Sequence, residues 1–182
     1  HIVQRSSANL GNIDITGSYS TPGTEAIEAS AMVMSGSGNS GSSTDWQVID
    51  AAPSGDTFSG TLSNVPAGGW YQLEVRSVID GAPGDVRILR RIGVGDIYLT
   101  AGQSNSANYG AGGYTVMDDR VSARISTSDS SWTLASDPFP LAGGRRGSVW
   151  TRLGDLLAAE QNIPIGFIAL DIGSTRVDQW LP

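Results

Sequence analysis

The chain has 182 residues, of which 39% are hydrophobic and 16% charged, enough apolar material for one large or two small domains with a buried core. Its formal charge of −7 repels phosphate backbones and anionic membrane surfaces and so speaks against nucleic acid as a partner. Without cysteine there are no disulfides, thiolate metal sites or cysteine nucleophile, and no apolar run reaches the roughly 20 residues of a membrane-spanning helix.

In chain order, residues 1–93 read as strands and turns. Asn12-Ile13-Asp14-Ile15-Thr16-Gly17 alternates apolar and polar side chains, and Ile27, Ala29, Ala31 and Val33 can share one face of a strand over 26–34. A glycine/serine turn follows over 35–44. Short strands are predicted at 46–49 and 57–62, then a turn at Pro66-Ala67-Gly68-Gly69. The clearest strands are 70–76 and 86–92. About seven short strands with frequent turns predict a β-sandwich of immunoglobulin or fibronectin type over 1–93. The aromatics Trp46, Trp70 and Tyr71 read as core packing or as a glycan-binding face.

The grammar changes after Gly93. Residues 94–101 form an apolar run that ends in Gly102, as a buried strand does. Residues 106–147 are irregular, with one weak strand over 121–125. Ser148 is a plausible N-cap for an amphipathic helix through Gln161, with Val149, Trp150, Leu153, Leu156 and Leu157 at helical spacing. A second buried strand runs from Ile165 to Ile172 and is closed by Gly173. Helix followed by apolar strand predicts parallel α/β structure over 94–182.

Both apolar strands end in a polar cluster, Gly102-Gln103-Ser104-Asn105 and Gly173-Ser174-Thr175. Ligands of open α/β sheets bind beyond the carboxyl ends of the strands. Two such loops on one edge bring together a hydroxyl and free backbone N–H groups, which are the nucleophile and oxyanion hole of acyl transfer. Asp118 and Asp119 look like a ligand pair, but no histidine or third carboxylate joins them at ligand spacing. They read as a solvated loop, with no metal and no cofactor.

The stretch from Val94 to Asn105, with Ala101-Gly102-Gln103-Ser104-Asn105 at its end, resembles the first block of the sialate O-acetylesterase-like branch of the SGNH hydrolases. The segment from Ile163 through Asp171-Ile172-Gly173-Ser174-Thr175 to Trp180 resembles that branch's second block, usually Gly-Gly-Thr followed by Trp. The resemblance implies the N-terminal half of a three-layer, flavodoxin-like α/β domain. It also implies an esterase that removes O-acetyl groups from carbohydrate, sialic acid-type or polysaccharide. Ser104 would be the nucleophile, and the N–H groups of Ser104 and Gly173 would face the oxyanion. Asn105, Arg176 and Trp180 would be the substrate contacts. Trp180 as packing, and Arg176 with Asp178 as local structure, are the competing readings.

The chain departs from that pattern in two places. Ser174 stands where a second glycine is usual, and a positive φ does not suit serine. The family's third block, an Asn or Gln for the oxyanion hole, and its late Asp-x-x-His base are absent, and the chain's only histidine is His1. A serine hydroxyl without a base is a poor nucleophile near neutral pH. The expectation is therefore that a second polypeptide carries the rest of the SGNH domain with the catalytic Asp-x-x-His, or that the chain is a truncated piece. This chain alone would then be inactive. Its start at His1 rather than Met points to an N-terminus that is processed, trimmed or engineered, and a secreted, periplasmic or extracellular protein without its signal peptide is one explanation among several. The alternatives are a non-catalytic glycan-binding or surface protein with an esterase-like fold, or a fragment whose strands serve only as a spacer.

Overall fold

The computed structural model describes residues 1–36, 38–128 and 131–181. Position 37 of the expected glycine/serine turn and the expected domain end at 182 lie outside them. The chain divides into two compact units. One is Val3–Val94; the other is Gly95–Pro182 together with His1–Ile2.

The strands are β1 (Ile2–Gln4), β2 (Leu10–Ser18), β3 (Thr24–Val33), β4 (Gln47–Asp50), β5 (Thr57–Pro66), β6 (Gly69–Ile79), β7 (Ala82–Thr100), β8 (Val121–Arg124), β9 (Trp132–Leu134) and β10 (Ile165–Ala169), with one α-helix, α1 (Trp150–Gln161). In the Val3–Val94 unit, β2 and β5 form a two-stranded antiparallel sheet. There β3 pairs with β4 and β6, and β6 with β7, all antiparallel. Period-two alternation gives each strand one apolar face. Ile13, Ile15, Leu62 and Val65 from the small sheet meet Ile27, Ala29, Ala31, Tyr71, Leu73 and Val75 from the larger ladder in one buried cluster. Trp70 and Tyr71 are buried, and half-buried Trp46 carries the Arg76 guanidinium 3.8 Å above its ring. The two-residue loop Asp80-Gly81 joins β6 to β7 with positive φ at both positions, as a type I′ turn requires.

The strands expected at 86–92 and 94–101 are one strand, β7. Gly93 does not break it, because Gly93 and Val94 still pair with Trp70 and Gly69 of β6.

In the Gly95–Pro182 unit, β10 lies parallel to both β7 and β8, and β9 runs antiparallel to β8. The Phe167 ring is at the centre, with the rings of Tyr98, Phe139 and Trp150 at 5.7, 5.8 and 6.0 Å. Helix α1 starts at Trp150 rather than next to Ser148. The Ser148 hydroxyl still accepts the Trp150 N–H at 3.2 Å while donating to Asp137 at 2.7 Å. The buried face of α1 is Thr151, Gly154 and Ala158, not the expected leucine face. Val149, Leu153 and Leu156 stay exposed. The reason is close approach: a Cβ on Gly154 would stand 2.5 Å from Val121 Cγ1 and 3.1 Å from Phe167 Cε2.

The expected β-sandwich followed by the first part of a three-layer flavodoxin-like α/β SGNH domain is corrected by these elements. A three-layer domain needs helices on both faces of its sheet. Among the described residues the structure is instead mostly β, 48% in strands and isolated bridges, with a single α-helix. Because β7 runs through both ladders, hydrogen bonding counts a mixed eight-stranded sheet and a small two-stranded one. The helix-then-strand pattern of 148–172 occurs once, and 106–147 supplies β8, β9 and loops where a further helix would be needed.

Candidate functional site

Because β7 and β10 are parallel neighbours, the loops that follow them leave the ladder at the same edge. Their pairing continues past the strands, through Leu170 N–H to Thr100 O at 3.0 Å and Ile172 N–H to Gly102 O at 2.9 Å. The first loop then closes into a single turn. The N–H groups of Ser106 and Ala107 both donate to Gln103 O, at 3.1 and 3.2 Å, and the Ser106 hydroxyl donates there at 3.0 Å. Ser104 stands on this turn, partly exposed, and its hydroxyl donates to Gln103 Oε1 at 3.2 Å. Gly102 supplies the room: a Cβ there would lie 2.5 Å from Ser106 Oγ.

The second loop is fastened to the first by a threonine. Thr175 Oγ1 donates to Ile172 O at 2.7 Å and to Gly102 O at 3.3 Å. Ser174 has φ +65°, so a serine does occupy the left-handed conformation there. For a side chain that conformation costs about 1–2 kcal/mol. Tyr109 packs over Gly173 so closely that a Cβ would meet its hydroxyl at 2.9 Å and its ring at 3.1 Å. The N–H groups of Ser104 and Gly173 donate to no atom among the described residues.

Beneath the two loops lies a polar pair absent from the sequence reading. Asp171 is fully buried, and its Oδ2 accepts from Thr100 Oγ1 at 2.7 Å. Its Oδ1 has no hydrogen-bond partner among the described residues. The Asp171 carbonyl accepts the Gly143 N–H at 2.7 Å, and Gly143 O accepts the Asn108 N–H at 2.8 Å. Asn108, also fully buried, clamps the 139–142 segment. Its Nδ2 donates to Phe139 O and Ala142 O at 2.9 and 3.1 Å, and its Oδ1 accepts the Phe139 N–H at 2.8 Å. The sequence signal for the pair was a carboxylate at the end of the apolar run 165–172.

The other expected site residues fall as follows. Asn105 is exposed on the Ser104 turn. Arg176 lies 3.0 Å from Asp178, both well exposed, and its N–H donates to Gln179 Oε1. Trp180 is half-buried, and its indole N–H donates to Thr175 Oγ1 at 3.0 Å, which ties it to the second loop. His1 belongs to the same unit as Ser104, not to the other one, and stands edge-on to Trp132 of β9 at 6.3 Å. Asp118 is no solvated loop residue: it binds the buried guanidinium of Arg120 at 2.7 Å, and that hydrogen bond holds its carboxyl below the usual range.

Chemically, the edge presents a partly exposed hydroxyl and unused backbone donors on two neighbouring loops. The donors suit a developing oxyanion. The partner of the Ser104 hydroxyl is an amide oxygen, which cannot take its proton.

No protein-family model matches the chain, and no curated protein does. Among solved structures, a carbohydrate acetylesterase from Xanthomonas citri is similar, with a TM-score of 0.53 and 19% identity. The likeness covers 99% of this chain and 40% of that one, so the chain spans well under half of the neighbour's length. At this identity it is the fold that is alike.

Proposed function

We propose that this chain carries the nucleophile and part of the oxyanion hole of a serine esterase acting on O-acetylated carbohydrate. The observation that carries the reading is the juxtaposition at the β7–β10 edge. Ser104 stands on a turn joined through Gly102 to the Gly173 loop, and the N–H groups of Ser104 and Gly173 are unused among the described residues. The fold likeness to a carbohydrate acetylesterase supports the substrate class, as do the esterase-like blocks around Ser104 and Gly173.

In this reading Ser104 Oγ attacks the acetyl carbonyl while a histidine outside these residues takes the hydroxyl proton. The oxyanion is held by the N–H groups of Ser104 and Gly173. One such donor is commonly worth about 3 kcal/mol in the transition state. The histidine then protonates the departing sugar oxygen, and water releases acetate from the acyl-enzyme. Asn105 and Trp180 border the acetylated sugar. The base comes from a further polypeptide segment, and the protein works outside the cell or in the periplasm.

The test is hydrolysis of p-nitrophenyl acetate by the complete protein and by its Ser104→Ala variant. A loss of roughly 10³-fold or more in kcat is expected for the variant, and equal rates would sink the assignment. One observation favours a rival, a non-catalytic glycan-binding or surface protein: the Ser104 hydroxyl faces an amide oxygen instead of a base. That reading expects no hydrolysis from the complete protein.

A further inference from the structure

We propose that the cleft between the two sheets of the Val3–Val94 unit binds a neutral sugar residue of a glycan chain, separately from the Ser104 edge. The cleft has a volume of about 440 Å³, within the usual range for small-molecule sites. It opens where β2 ends and the β6–β7 hairpin begins. Tyr19 and Phe58 wall it on one side, and the buried Ile27 and Val75 form its floor. Sugars present apolar C–H faces that lie well on such aromatic surfaces.

The polar lining sets the ligand's charge. Asp85 and Arg87 both line the cleft, two residues apart on β7, where Arg87 pairs with Val75 and so shares its face. Neither side chain makes a hydrogen bond or ion pair among the described residues. One offers only acceptors and the other only donors. An anionic ligand meets Asp85 and a cationic one meets Arg87. A neutral polyol satisfies both, because each hydroxyl donates and accepts. The second arginine of the lining, Arg76, is already neutralised by Glu28 at 2.7 Å. A cavity of about 300 Å³ adjoins the cleft and shares Tyr19, Ser20 and Thr21 with it, so the depression continues beyond one sugar ring. This inference does not rest on Ser104.

The experiment is affinity electrophoresis of the chain in gels containing de-esterified xylan, galactomannan or mixed-linkage β-glucan, with polygalacturonate as the acidic contrast. De-esterified polymers offer no acetyl group to an ester site. At least one neutral polymer should retard the protein. Asp85→Ala with Arg87→Ala, both exposed and folded by circular dichroism, should weaken that retardation about tenfold or more. Ser104→Ala should migrate as the parent does. Retardation by no neutral polymer, preference for polygalacturonate, retardation unchanged in the double variant, or loss of retardation on Ser104→Ala would each overturn the proposal. The esterase assay is indifferent to all four outcomes.

Discussion

Thr100 and Asp171 make the sharpest case at the scale of single residues. The Asp171 carboxyl group has no exposed surface and one hydrogen-bond donor among the described residues, the Thr100 hydroxyl at 2.7 Å. Replacing Thr100 by valine keeps the shape and removes that donor. A hydrogen bond contributes about 1 kcal/mol, and stranding a buried polar partner costs about 1–3 kcal/mol. Thr100→Val should therefore lower the unfolding free energy by about 2–3 kcal/mol, seen as a lower urea midpoint at constant slope. Thr100→Ser should recover most of it, and a valine variant as stable as the parent would refute the account. Ser104 is the opposite case. It is partly exposed and bonded only to its neighbour's amide, so Ser104→Ala should change stability by less than about 0.5 kcal/mol. That separation makes the variant a clean probe of chemistry. The place of Ser104 on the loop after β7 was legible because a polar cluster closes an apolar run. Asp171 was not given a role, because a burial pattern marks where a carboxylate goes without naming the threonine 71 positions away that satisfies it.

Helix α1 shows what periodicity decides and what it leaves open. Its existence followed from spacing; its buried face did not, since Leu153 and Leu156 point outward while Thr151, Gly154 and Ala158 pack inward. Small residues win that face because the helix approaches Val121 and Phe167 too closely for leucine. Gly154→Ala weighs two effects against each other. Alanine is the better helix former by about 1 kcal/mol. Its Cβ, however, would sit 2.5 Å from Val121 Cγ1, and overpacking costs about 1–3 kcal/mol. The variant should thus be less stable by about 1 kcal/mol, and adding Val121→Ala should turn the alanine at 154 from harmful to neutral or helpful. A stabilised single variant would show that the helix is not held this close. The strands were legible from alternation, as at Ile13 and Ile15. The continuity of β7 through Gly93 was not, because it depends on partners in β6 that a local pattern does not contain. The three-layer expectation had another source, the resemblance around Ser104 and Gly173. The single α-helix among the described residues overturns it, while the parallel pairing of β10 with β7 and β8 matches the helix-then-strand pattern.

For the molecule as a whole, two groups bound the pH range of stability, one in each unit. Asp118 has its carboxyl held below 3.8 by the Arg120 hydrogen bond. A depressed carboxyl contributes stability that is present above its unfolded value and lost as pH falls through the folded one. Arg120 also donates to Asn162 Oδ1 and Ala158 O, at the end of α1, so protonating Asp118 loosens the junction of that helix with the start of β8. Asp118→Asn should flatten the decline in thermal midpoint below about pH 4. Tyr71 sets the alkaline limit. Its ring is buried, its hydroxyl donates to Pro66 O at 2.6 Å, and burial pushes it up to about 12. A raised value means the folded state keeps a proton that the unfolded chain gives up. Stability from Tyr71 is thus complete below pH 10 and is lost as pH rises towards 12. Two measurements follow. The native phenolate titration should show a late-ionising tyrosine that is absent from the chain unfolded in urea and from Tyr71→Phe, alongside Tyr114, whose hydrogen bond to Asp155 also raises it. Tyr71→Phe should be less stable than the parent at neutral pH, by about 1 kcal/mol for the lost hydrogen bond to Pro66. That deficit should shrink between pH 10 and 12, where only the parent pays to keep or lose a phenolic proton. A deficit constant across that range would remove Tyr71 as the alkaline limit.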